Sequence, residues 1–96
     1  MSYPGNNVLR VIEENVDGCG SDAIMYVGFS RPVTPTLQER FQKKLREVKR
    51  NHKNDDYDTE NFVADAIDEF NAELLATGEC ITVEIIDAPY YGVVTF

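Results

Sequence analysis

Tryptophan is absent, histidine occurs once and cysteine twice, and nine bases stand against 17 acids in 96 residues. Each scarcity excludes something. Cys19 and Cys80 lie 61 positions apart, and two cysteines behind no secretory leader are expected as reduced thiols rather than a disulfide framework. Cys80 enters an apolar run, where a thiol serves as a small hydrophobe. With His52 as the single histidine, the paired ligand spacing of a zinc site cannot be assembled. No apolar run approaches the ~18–20 residues that span a bilayer. The opening MSYPGNNVLR has no basic segment followed by an apolar one, so a cytoplasmic location is expected.

The shortage of bases leaves a formal net charge of -8. Such a balance disfavours nucleic acid as the partner and favours basic partner surfaces. The charges that are present are segregated. Arg40, Lys43, Lys44, Arg46, Lys49, Arg50 and Lys53, seven of the nine bases, fall in one stretch. Asp55, Asp56, Asp58, Glu60, Asp65, Asp68, Glu69 and Glu73 follow directly. With Glu39 and Glu47 counted, the basic segment carries +5 and the rest of the chain -13. Two antiparallel helices that partly neutralise each other account for the split most simply.

A chain of this length builds one core, so residues 1–96 are expected to form a single domain. An apolar share of 43% and a charged share of 27% are ordinary for globular proteins. Leu37, Phe41, Leu45, Val48 and His52 recur at helical spacing and predict a helix over 34–52. Thr34 and Pro35 supply its N-cap and first-turn proline. A second helix is predicted over 59–77, capped by Asp58 or Thr59 and stopped by Gly78 in the left-handed position. Its apolar stripe (Phe62, Val63, Ala66, Ile67, Phe70, Leu74) is broad, and Leu75 points away from it.

AIMYVGF, residues 23–29, reads as a strand, with Gly28 marking a bulge or a close backbone approach. The tail ECITVEIIDAPYYGVVTF reads as strand, turn, strand. Residues 8–16 are ambiguous: β-branched content and Asp17-Gly18 favour a strand that opens a hairpin, while Val8, Ile12 and Val16 also fit a helix. The expected class is α+β, a mainly antiparallel sheet of about four strands with two helices on one face. The order is ββααββ, with αβααββ as the alternative.

The chemistry is sparse. NHKNDDYDTENF, residues 51–62, tempts a calcium reading, but neither register of an EF-hand loop holds. From Asn54, Thr59 stands where glycine is required; from Asp56, Asn61 occupies that place and Ile67 the glutamate position. No metal or other cofactor is expected. A catalytic dyad of His52 with Cys19 or Cys80 needs a proximity that nothing in the sequence specifies. Tyr90 and Tyr91, beside Pro89, have the rigidity and contact area of interface anchors.

The expected function is that of a small acidic, non-enzymatic interaction protein that binds, and inhibits, a protein with a basic, nucleic-acid-binding surface. Nucleic-acid mimics of phage or mobile-element type share this composition. Asp58, Glu60, Asp65, Asp68, Glu69, Tyr90 and Tyr91 are the candidate contact residues, and a homodimer is compatible with them. Two alternatives stand beside it: a small enzyme or ligand-binding domain using Cys19 and His52, and a nucleic-acid binder working through the basic helix at 40–53.

Overall fold

A computed structural model describes residues 5–13, 23–52, 58–86 and 92–96. After a short 3-10 turn, Gly5–Asn7, come strands β1 (Val8–Glu13) and β2 (Ala23–Phe29), helices α1 (Pro35–Asn51) and α2 (Thr59–Ala76), and strands β3 (Val83–Ile86) and β4 (Gly92–Thr95). The expected ββααββ order holds. Residues 8–13 form the strand; Asp17, Gly18 and Cys19 lie outside the described residues.

Local chemistry sets the helix ends. The Leu37 N–H donates to Thr34 Oγ1 at 3.1 Å, with Pro35 following the cap, where its missing N–H costs nothing. The last turn of α1 closes when the His52 N–H donates to Val48 O at 3.1 Å. Asp58 caps α2 by accepting from the Asn61 N–H at 3.0 Å. At the other end Gly78 takes φ 74, so that the Gly78 and Glu79 N–H groups turn back to Leu75 O and Leu74 O. A side chain at Gly78 would be strained by that left-handed backbone.

The sheet order is β3-β2-β1-β4. β2 pairs antiparallel with both β1 and β3, whereas β4 runs parallel to β1. The tail therefore supplies two strands, as its pattern predicts, but they occupy opposite edges rather than one hairpin. The reason is burial: β1 presents Leu9 and Val11 to the core, and β4 on its open side adds Val94 and Phe96 to the same core. Gly28 pairs in register with Glu84 of β3, between Val27 and Phe29, and closes the β1 ladder opposite Val8, so no bulge interrupts β2 there.

Both helices lie on the sheet face that carries Leu9, Val11, Val27, Phe29, Val83 and Val94. Phe41 of α1 sits between Phe29 and Phe70, with ring centroids 5.6 Å and 5.4 Å away in edge-on arrangements. Such contacts add to the burial of ring area itself. Phe62 of α2 meets Phe96 edge-on at 6.3 Å.

Side-chain amides occupy main-chain groups at both sheet edges. Asn71 accepts from the Val83 N–H and donates to Val83 O, each at 3.0 Å. Gln38 and Gln42 donate to Val93 O and Thr95 O, also at 3.0 Å. Edge groups left open are templates for strand addition, and these three amides take their place.

Candidate interaction surface

The charged residues of α1 divide by direction, because successive residues turn about 100° around the helix axis. Leu37, Phe41, Leu45 and Val48 are buried. On the flank toward α2, Lys44 Nζ lies 3.1 Å from Glu73, 3.9 Å from Glu69 and 3.8 Å from Glu47. Burial works against the charged Lys44, but the Glu73 hydrogen bond and the surrounding carboxylates outweigh it and raise its pKa. Arg40 reaches Glu79 with two parallel hydrogen bonds, 2.9 and 3.1 Å, the geometry in which a guanidinium fork binds a carboxylate best. The Glu79 carboxyl is lowered to about 2, first by the Arg40 hydrogen bond and then by the Thr77 hydroxyl.

The neutralisation expected between the helices is therefore present, on one flank. His52 Nε2 lies 3.8 Å from Asp65, which together with the Lys44 and Arg40 contacts makes α1 and α2 antiparallel neighbours.

Glu13 belongs to no motif in the sequence, yet it holds three elements together. It is buried, accepts from the Thr59 hydroxyl at 2.6 Å and lies 3.3 Å from Lys49 Nζ. Lys49 also stands over the Phe96 ring at 5.4 Å, a cation–π geometry. One carboxylate thus ties the end of β1 to the last turn of α1 and the first turn of α2. The one signal that marks it is register: Glu13 is in step with Leu9 and Val11, the core-facing positions of its strand.

On the opposite side of α1, away from the sheet, Lys43, Arg46 and Arg50 are exposed. None of the three has an ion pair among the described residues. The expected basic face at 40–53 is thus narrower than its sequence: Arg40, Lys44 and Lys49 turn inward, and Lys53 lies outside the described residues.

The acidic candidates gather on α2. Glu60, Asp68 and Glu69 are exposed and Asp65 is half-buried. Asp65, Asp68 and Glu69 fall within two turns of one another, while Asp58 and Glu60 sit at the N-terminus, where the helix dipole favours negative charge. Asp58 is engaged as the cap. Ala64 and Ala72 lie between the acids, and Leu75 ends the row with 81% of its surface exposed. Tyr90, Tyr91 and Cys19 lie outside the described residues.

Cys80 has a free, exposed thiol and lines an open apolar groove of about 560 Å³ with Leu75 and Ile81. It stands at the end of the helical layer where α1 begins, since Arg31 Nε donates to Cys80 O at 3.1 Å. His52 stands where α1 ends, roughly 25 Å away at 1.5 Å per residue. The structure does not bring these two together as a dyad. Among the described residues, no three His, Cys, Asp or Glu side chains are grouped to hold a metal ion, and no helix is long and apolar enough to cross a membrane.

No protein-family model, curated protein or solved structure matches the chain.

Proposed function

We propose that this chain is a non-enzymatic interaction module that docks through α2 on a basic protein surface. One observation carries it. Four of the five carboxylates of α2, Glu60, Asp65, Asp68 and Glu69, project from one helix in a chain of net charge -8, with Asp65 and Glu69 also facing His52 and Lys44 of α1 and the fifth, Glu73, held by Lys44. Side chains three and four apart on a helix lie ~5–6 Å from each other, close to the phosphate spacing along a nucleic-acid strand. A partner that normally grips nucleic acid would meet familiar charge, and its occupation by α2 would inhibit it.

The test starts by recovering partners from host lysate on the immobilised chain and measuring each affinity for the purified pair. Asp65→Lys, Asp68→Lys and Glu69→Lys together weaken the complex by at least ~10-fold, since like charges brought together at an interface cost several kcal/mol. Binding also falls as salt shortens the Debye length from ~10 to ~3 Å. Nucleic acid retained through Lys43, Arg46 and Arg50, with the acidic substitutions silent, would overturn the proposal in favour of the basic face.

A further inference from the structure

The outward base row of α1 fits the acid row of α2 in spacing, sign and direction, with Asp65 of that row also 3.8 Å from His52 of its own chain, and we infer that the chain pairs with a second copy of itself through its helical layer. Lys43, Arg46 and Arg50 of each α1 then face Asp68, Asp65 and Asn61 on the other copy's α2. The inference rests on α2 being a docking surface and names the partner for it.

The spacing is specific. The bases are separated by three and then four residues, and read backwards from Asp68 the opposing positions 68, 65 and 61 repeat three and then four. Aligned antiparallel, Lys43 meets Asp68, Arg46 meets Asp65, and Arg50 meets the neutral amide of Asn61. The same register sets Glu39 opposite Ala72, so no like charges stand directly across from each other. It also sets Leu75 opposite Thr36. That covers the side chain which, among the described residues, is the most exposed large hydrophobe.

The symmetry follows from the fold. Within one copy α1 and α2 are antiparallel neighbours in one layer, backed by the sheet. A two-fold axis parallel to the helices, lying above that layer and between them, puts each α1 over the other copy's α2 with the two antiparallel. Both basic rows are then engaged at once, and the contact closes at two copies. The sheets lie outermost, which gives a sheet–helix–helix–sheet stack.

Size sets the strength. Two helices of 17 and 18 residues span ~25 Å at 1.5 Å per residue and, spaced ~10 Å apart, present ~500 Å² per copy. The total of ~1,000 Å² lies at the lower edge of specific interfaces. A reversible, salt-sensitive dimer is the result, one that a foreign basic surface can compete against.

Sedimentation equilibrium over about a thousandfold range of concentration reads the association directly. At low salt the mass rises from that of one chain, 10.9 kDa, toward twice that value, and near ~1 M salt it returns to one chain. Lys43→Glu with Arg46→Glu, and separately Asp65→Lys with Asp68→Lys, each weaken pairing at least ~10-fold. Mixing these two variants restores a one-to-one complex, because every reversed row then meets its opposite. Leu75→Ser weakens pairing without altering either charge row, an independent check should a double variant unfold.

A wild-type chain that stays single at the highest concentration and low salt would overturn the inference, as would a variant mixture no tighter than either variant alone. A poly-lysine peptide separates this from the broader proposal. If self-pairing fails but the peptide binds in a manner dependent on Asp65 and Asp68, α2 still docks basic partners; if the peptide also ignores those residues, both readings fall.

Discussion

Arg40, Lys44 and Lys49 turn toward α2 and the sheet, where carboxylates meet them. Lys43, Arg46 and Arg50, on the same helix but facing away from the sheet, reach solvent. The two sets have the same chemistry and interleaved positions, yet they belong to different levels of organisation. The inward set joins elements of one chain; Lys49 in particular holds a buried carboxylate that touches three of them. The outward set makes no ion pair among the described residues. Direction around the helix, rather than charge, decides the role.

Four experiments test that division. The largest effect belongs to the direction that carries no charge. Phe41→Ala removes the ring between Phe29 and Phe70, and urea titration is expected to show a loss of about 3–5 kcal/mol. If the loss is much smaller, the aromatic contacts are not what unites the layers. Glu13→Ala comes next, at about 1–3 kcal/mol, because it strands the Thr59 hydroxyl and the Lys49 ammonium. A loss no larger than that of an exposed acid such as Glu39→Ala would remove the inward set's special standing.

Acid titration examines the Arg40–Glu79 tie. Glu79 is lowered from 4.5 to about 2 on folding, so the unfolded chain takes up its proton first as pH falls. The tie's contribution is complete above pH 4.5 and is lost as pH falls toward 2. Glu79→Gln should therefore melt below the wild type at pH 7 and approach it at about pH 2. A gap that widens on acidification would contradict the assignment. The smallest effect is expected from Lys43→Ala, Arg46→Ala and Arg50→Ala, each within about 0.5 kcal/mol of wild type. A larger change in any of them would mean that the outward set also serves the fold.

Much of this architecture was legible because short-range chemistry announces it. Thr34-Pro35, Asp58 and Gly78 mark helix ends through groups that must be capped, and residues 23–29 show their strand in β-branched and aromatic content. The sheet order was not legible in the same way. Nothing local to ECITVEIIDAPYYGVVTF tells β4 to cross from the side of β3 to the far side of β1. That choice is made by the unfilled side of an apolar central strand, a long-range demand that local patterns do not carry. Glu13 escaped for a related reason, since its partners Lys49 and Thr59 are distant in sequence. The candidate surface was half legible. Charge segregation pointed to α2, whereas the division of the α1 bases becomes visible only once the buried stripe fixes which way the helix faces.

The parallel pairing of β1 with β4 also has a bearing on how the chain comes into being. Of the four described strands β1 is synthesised first and, through β4, completed last; Leu9 waits for Gly92. At roughly 5–20 residues per second the interval is several seconds. Throughout it the nascent protein holds a strand with one flank unfilled, and closing so long a loop slows the final step. The stretch of synthesis between Glu13 and Gly92 is thus when this protein is most exposed to mispairing, and a chaperone would be of most use to it then.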